Sequence, residues 1–477
     1  MGGAARRVPT VLAAVLLLGV LAGCGDDGGE DEGNPDAAAL RATATGEDFA
    51  EPPRTEAVDG RLQFDLTADD RGITVAGTDV DGRAYAGALL GPTLVVRPGD
   101  TIDLTLDNRL DAHTNIHFHG LHVSPVDNGD NIFLSVEPGE RFGYSLAISD
   151  DHPPGTFWYH SHAHGISEEQ VFGGLSGVIV IEGLADLLPA DLRDVDRVVL
   201  ALKDAQVTGD QIEATEIDSN APTLRTVNGL SEPVLEIAPG EVQLWHLANI
   251  GADIWYDVEL AGTTLTVVGE DGNPKWRVED AEHLVLPPGK RYEVLVTGPE
   301  SGDAAFRSRR YEQGDDTYPA TDLLTLRSTG ASGTSVVAPT LPTSLIPEAT
   351  IPEDEVVERR TFTFSEDESN HFFVNDKEFD ADRVDVRPRL GTAEEWTLRN
   401  TSDEQHPFHI HVNDFQVVSI GGRPYDASGV QDTVPLLPDQ DVVIRTRFTD
   451  FPGKFVFHCH ILNHEDNGMM AVVEVVE

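Results

Sequence analysis

Along most of the chain, apolar and polar positions alternate in short runs, and the runs are broken by Pro-Gly, Asp-Gly and Gly-Gly pairs. That period belongs to a strand, whose successive side chains leave opposite faces, and the breaks are turn chemistry. The pattern predicts an all-β chain. It also repeats. Arg97-Pro98-Gly99-Asp100 leads through Ile102, Leu104 and Leu106 to Asn108. Pro239-Gly240-Glu241 leads through Val242, Leu244 and Leu247 to Asn249, and Pro388 with Gly391 leads through Trp396 and Leu398 to Asn400. A second turn recurs downstream, at Glu137-Pro138-Gly139-Glu140, Pro287-Pro288-Gly289-Lys290 and Leu437-Pro438-Asp439-Gln440, each followed by another alternating run. A third phrase closes each unit, at Gly155 to His162, at Phe306-Arg307-Ser308-Arg309 and at Gly453 to His460.

Three copies of one Greek-key β-sandwich account for this repetition. They also suit a chain of 477 residues, which is too long for a single core. The expected domains are residues 56–185, 186–330 and 353–477, with a Pro/Ser/Thr-rich linker at 331–352.

The amino-terminal end follows other rules. Arg6 and Arg7 precede an apolar run from Val11 to Leu21, as in a secretory signal, and Leu21-Ala22-Gly23-Cys24 resembles a bacterial lipobox. That resemblance implies a signal peptide over 1–23 and a lipid anchor on Cys24, placing the protein outside the cytoplasmic membrane. Residues 24–55 are rich in Gly, Asp and Glu, too poor in apolar groups to fold, and read as a flexible tether. No later run reaches the roughly 18 apolar residues of a spanning helix, so the lipid anchor is the expected membrane attachment.

Formal net charge is −50, from 83 acidic against 33 basic residues, which excludes the basic footprint that nucleic acid requires. Such a surface concentrates cations. Cys24 and Cys459 are the two cysteines, so there is no disulfide scaffold, and an exported lone thiol at Cys459 is either inert or metal-bound.

Histidine decides between these. Nine residues after the repeated Asn stand His117-Phe118-His119 and His409-Ile410-His411 in the outer copies, but Val258-Glu259-Leu260 in the middle one. In the third phrase the outer copies carry His160/His162 and His458/His460, and Arg307 and Arg309 are expected in the corresponding middle places. A His-x-His on a strand puts two imidazoles on one face. Four such pairs give eight, split between the first and last domains, so the cluster forms where those domains meet. Cys459 has parity opposite to His458 and His460, and His406 has parity opposite to His409 and His411. With His464 and Met469 they make a His2Cys set with a soft thioether, the ligands of a blue-copper electron-transfer site. Structural zinc takes four ligands and does not account for this number. His113, His122, His152, His164, His246, His283 and His371 carry no such pattern and read as ordinary core or surface groups.

The strings His117-Phe-His119-Gly120, His160-Ser-His162, His406-Pro-Phe-His409-Ile-His411 and His458-Cys-His460-Ile-Leu-Asn-His464-(x4)-Met469 resemble the four copper signatures of the multicopper oxidases, most closely bacterial three-domain laccases and cuprous oxidases. The resemblance implies cupredoxin-like domains and four copper ions. His406, Cys459, His464 and Met469 would hold the type 1 copper and His117 and His409 the type 2 copper. His119, His160, His162, His411, His458 and His460 would hold the type 3 pair. It also implies one-electron oxidations at type 1, transfer along the Cys459 segment through His458 and His460, and four-electron reduction of O2 to water. Glu465 and Asp127 resemble the family's acidic positions for proton supply.

O2 and a small reducing substrate are the expected partners of a monomeric enzyme. By the same resemblance a methionine axial ligand implies a moderate potential, suited to phenols, aromatic amines or low-valent metal ions. An alternative is a metallo-oxidase of Cu(I), Fe(II) or Mn(II), although with only Met1, Met469 and Met470 the chain lacks the methionine-rich insertion of cuprous oxidases. A second alternative is a copper-binding lipoprotein without turnover.

Overall fold

The computed structural model describes residues 46–212, 221–314, 316–329 and 340–477. The signal peptide, Cys24, most of the tether and residues 331–339 of the linker lie outside the described residues.

The alternating runs become strands of three two-sheet sandwiches. In the first, a five-stranded sheet runs in the spatial order Arg54–Glu56, Thr93–Val96, Ser176–Ile181, Gly155–His160, His117–His119. It packs against a six-stranded sheet centred on Arg61–Val75 and Thr101–Asn108. The second sandwich pairs a six-stranded with a five-stranded sheet, and the third a six-stranded with a four-stranded one. Neighbours in space are often not neighbours in sequence, as Greek-key crossings require. Each sandwich encloses its own core, around Leu66 and Phe118, Trp245 and Phe306, and Trp396 and Phe457. Burying one such side chain contributes about 1.5–3 kcal/mol.

The repeated Asn explains why the three copies keep the same spacing. Asn108 Nδ2 donates to the carbonyls of Ala112 (2.9 Å) and Val136 (2.8 Å), and Oδ1 accepts from Leu110 N (3.0 Å). Asn249 does the same with Ile254, Leu286 and Gly251, and Asn400 with Glu404, Leu436 and Ser402. Each Asn therefore locks the corner that leads into the strand which, in the outer copies, carries a His-x-His pair.

Register then separates the outer copies from the middle one. His117 pairs with His160 and His409 with His458, and the equivalent pair in the middle copy is Val258 with Ser308. The middle counterparts of the third-phrase histidines are thus Ser308 and, two residues on, Arg310, rather than Arg307 and Arg309. In a strand one step changes the face, and the unbroken pairing with Tyr256–Leu260 sets Ser308, not Arg307, opposite Val258. Arg307 and Arg309 point outward to Glu259 and Asp257.

The sandwiches exchange chain at their borders. Residues 46–53, expected in the tether, lie along the middle sandwich: Phe49 N donates to Val234 O (3.0 Å) and Val234 N to Glu47 O (2.8 Å). Gln211, past the expected end of the first domain, pairs with Asp81 and extends its outer sheet. A shared apolar seam of Ile73, Trp158, Val178, Val199 and Ile250 joins the first two sandwiches. The first and third are tied by His122 Nδ1 to Val412 O (2.7 Å) and by Gly165 N and Glu168 N to the Asp466 carboxylate (2.9 Å each). No helix among the described residues is long and apolar enough to cross a membrane.

Candidate copper centres

Strand parity sorts the candidate side chains onto two faces. In Gly453–Cys459, His458 faces His409 across the sheet, whereas Cys459 faces Phe408 and joins the core of the third sandwich. On that core side, Cys459 Sγ lies 3.6 Å from His406 Nδ1 and 3.7 Å from His464 Nδ1, and the two nitrogens are 3.2 Å apart. Met469 is buried in the same core, and its carbonyl accepts from Cys459 N (3.0 Å).

Each imidazole of this site is held from behind. Ser402 Oγ, anchored on Asn400 Oδ1, contacts His406 Nε2, so the Asn400 corner orients the ligand six residues on. The Phe372 ring stacks on His464 with centroids 4.0 Å apart. His464 is 7% exposed while His406 and Cys459 are fully enclosed, which makes its edge the path to solvent. Glu404 Oε2 stands 3.6 Å from His464 Nε2 at that edge.

On the opposite face, all eight paired histidines converge, although His117, His119, His160 and His162 come from the first sandwich and the others from the third. His162 Nε2 and His411 Nε2 lie 3.4 and 3.2 Å from His458 Nε2. His460 Nε2 lies 3.1 Å from His119 Nδ1, with His160 alongside. His117 and His409 complete the set between these two groups.

Three of the outward nitrogens are hydrogen-bonded. His117 Nδ1 meets the Asp130 carboxylate at 2.9 Å, His160 Nδ1 donates to Ser161 O at 2.8 Å and His458 Nδ1 to Cys459 O at 2.9 Å. The inward Nε2 atoms of His117, His160 and His409 are buried without a partner. A buried, unpaired imidazole nitrogen costs about 1–3 kcal/mol, so nature pairs such groups. Cations between these nitrogens would remove the penalty, and the donor sets fit copper: imidazoles alone in the cluster, and two imidazoles with a thiolate at Cys459. Burial lowers His117, His119, His160, His411, His460 and His464 well below the ordinary imidazole value, and His162 to about 4, leaving neutral rings with free lone pairs. Burial raises the Cys459 thiol, so its thiolate depends on a bound cation.

The carboxylates divide. Glu465 is fully buried, with Oε1 3.2 Å from His162 Nδ1 and Oε2 3.0 Å from His458 Nδ1. Burial would raise it, but the two imidazoles outweigh burial and hold it at about 2. Asp127, the other acidic position implied by resemblance, is exposed at the tip of a tight turn with φ 54°. The turn returns at Asp130, which lies under His117 and accepts from Phe118 N (2.9 Å), and burial pushes it up to about 8. Gly129 permits this return, because a Cβ there would meet Ser124 O at 2.1 Å. Alternation cannot forecast which residue of a turn points inward, and so Asp130 was missed. Asp432, whose carbonyl lies 3.1 Å from His409 Nδ1, also gave no periodic signal. Of the seven histidines set aside, none belongs to a potential metal group among the described residues.

Multicopper oxidase family models match residues 69–186, 198–326 and 351–477. "Multicopper oxidase mco" of Staphylococcus epidermidis is 27% identical over 404 residues, covering 82% of this chain and 83% of that protein. A solved multicopper oxidase from Campylobacter jejuni, described as a metallo-oxidase, is 26% identical with TM-score 0.79, covering 91% and 96%. The laccase-like multicopper oxidase CueO from Ochrobactrum sp., with activity towards lignin model compounds and lignosulfonate, is 28% identical with TM-score 0.78, covering 90% and 100%. Three cupredoxin-like sandwiches, histidine clusters able to hold metal and family matches over most of its length together establish that the chain belongs to the multicopper oxidase family and is a copper-dependent oxidase.

Proposed function

We propose that this oxidase takes single electrons from phenols or aromatic amines at the Cys459 site and uses four of them to reduce O2 to water at the eight-histidine site. The observation that carries this reading is the placement of Cys459 and its neighbours on opposite faces of one strand: the sulfur lies 3.6 and 3.7 Å from His406 and His464, and His458 stands in the cluster behind it. In this reading His406, Cys459, His464 and Met469 hold a type 1 copper, and His117 and His409 a type 2 copper. His119, His160 and His460 hold one type 3 copper, and His162, His411 and His458 the other. Copper so bound would supply reversible one-electron chemistry at the first site and multi-electron reduction of O2 at the second.

The chain's own residues do the rest. His464 presents the one ligand edge near solvent. Cys459 links the sites through its covalent neighbours and through the hydrogen bond from His458 Nδ1 to its carbonyl (2.9 Å). Reduction of O2 to two waters consumes four protons; in this reading Asp130, raised by burial to about 8, holds one against His117, and the ionised Glu465 between His162 and His458 passes protons on. Asp127, exposed, has no such position.

A second reading, oxidation of Cu(I), Fe(II) or Mn(II), is favoured by the Glu404 carboxylate beside His464 and by the net charge of −50. The description of the Campylobacter jejuni enzyme as a metallo-oxidase supports it. The signal-like start and Cys24 support an exported, lipid-anchored protein.

Oxygen consumption by the copper-loaded protein, measured with a phenol, an aromatic amine, Cu(I), Fe(II) and Mn(II) in turn, tests these readings together. The expected result is one O2 consumed per four electrons, fastest with the organic donors. Faster turnover of a metal ion would move the assignment to the metallo-oxidase. No uptake with any donor would leave copper storage as the function.

A further inference from the structure

The middle sandwich holds no copper ligand in the reading above, yet its turn at Pro287–Arg291 reaches into the space between the other two. A Cβ on Gly289 would lie 3.0 Å from both the His119 and the His460 ring, so that turn is a wall of the cluster and tolerates only glycine there. The next two residues are buried cations. Lys290 Nζ donates to Thr433 O (2.9 Å) and Gln431 Oε1 (3.0 Å) of the third sandwich. Arg291, fully enclosed, donates from Nη1 and Nη2 to the two oxygens of Asp432 at 2.8 and 2.7 Å. Its Nε donates to Thr156 O of the first sandwich (3.1 Å) and Nη1 also to Gly289 O (3.1 Å).

Asp432 in turn backs ligands from both outer sandwiches. Its Oδ1 lies 3.4 Å from His119 Nε2 and 3.5 Å from His409 Nδ1, and its carbonyl 3.1 Å from His409 Nδ1. These are the outward nitrogens of the two rings. His409 Nδ1 also meets Thr433 Oγ1 (3.3 Å), and His119 Nε2 has the Asp432 carboxylate as its near neighbour without a hydrogen bond; groups behind a ring in this way set where its other nitrogen aims. His119, His409 and Asp432 have the spacing of a metal group themselves, but both carboxylate oxygens are taken by Arg291, and the three act as a support.

We propose that Arg291 is a positioning residue for the eight-histidine site: through its two-pronged bond to Asp432 it fixes His119 and His409 together, coupling the halves of the cluster contributed by the first and third sandwiches. The middle repeat thereby acts as a part of the copper site without supplying a ligand. This rests on the reading of the cluster as a trinuclear copper site.

The test uses the full-length, copper-loaded protein and its Arg291→Lys variant, which keeps the charge but loses the planar fork that matches both oxygens. Blue absorption reports the Cys459 site, the type 2 paramagnetic resonance signal reports the geometry at His117 and His409, and oxygen uptake gives kcat. The expected result is unchanged blue absorption per protein, a shifted type 2 hyperfine splitting and a kcat reduced several-fold. Arg291→Met should shift the signal further, while Lys290→Met, which loosens the same turn, should lower the melting temperature with a smaller change in the signal. Wild-type hyperfine splitting and kcat in Arg291→Lys would overturn the proposal and leave the copper assignment intact. Absence of both blue absorption and a type 2 signal from the wild-type protein would overturn that assignment and this proposal with it.

Discussion

In the proposed reading Cys459 is the residue on which both copper sites depend, since its side chain would serve one and its chain neighbours the other. Cys459→Ser removes the soft thiolate but keeps the volume and the strand. The expected outcome is loss of blue absorption and of oxidase activity to background, with the type 2 resonance signal retained; colour surviving in the variant would refute the assignment of the sulfur. Parity alone made Cys459 and His406 legible, because both sit on regular strands where one step changes the face. Asp127 shows where parity stops. It lies in a turn, where backbone geometry chooses the inward residue, and the choice fell on Asp130. Glu465 was legible only through family resemblance, and its two contacts with His162 and His458 came from the fold.

At the scale of elements, the repeated Asn corner places the ligand strand, and its three copies provide their own control. Asn400 makes three hydrogen bonds to backbone groups and holds Ser402, which backs His406. Replacing it by Ala removes three backbone bonds worth about 0.5–1.5 kcal/mol each, a total of roughly 1.5–4.5 kcal/mol. Asn249 makes the matching bonds in a copy with no copper ligands. Both Asn249→Ala and Asn400→Ala should therefore lower stability by similar amounts in denaturant unfolding, while only Asn400→Ala should weaken and shift the blue absorption. Equal spectral effects would show that the corner supports the sandwich in general rather than the ligand loop. The count of nine residues from Asn to ligand was readable because this corner is rigid in every copy. The third phrase of the middle copy lies one position from its expected alignment, because with no histidine there nothing in the composition marks which residue pairs with Val258.

For the whole molecule, burial between sandwiches sets how stability responds to pH. Glu293 is enclosed where the second sandwich meets the first, accepting from Thr156 N, and burial pushes its carboxyl up to about 7 from 4.5. A folded-state pKa above the unfolded one means that the folded chain holds the proton more tightly. This stabilisation is complete below about pH 4.5 and is lost as pH rises towards 7, by roughly 3 kcal/mol from this group. Glu293→Gln, which cannot ionise, should match the wild type near pH 4.5 and gain on it steadily up to pH 8 in urea unfolding of the copper-free protein. A difference independent of pH would show that the carboxyl stays ionised throughout.

The sequence by itself determined the all-β repeats and the division of the paired histidines and Cys459 between two faces, while the full set of twelve proposed ligands came from the family resemblance. The repeats and the two faces follow from strand period and turn chemistry, which act over a few residues. The tertiary structure decided what depends on distant segments meeting: the convergence of four histidine pairs from opposite ends of the chain, and the selection of Asp130 over Asp127. It also decided the burial that keeps the imidazoles neutral and the insertion of Arg291 behind Asp432. Such contacts arise from packing between sandwiches, where the relevant distance is through space, and no local pattern of apolar and polar positions encodes it.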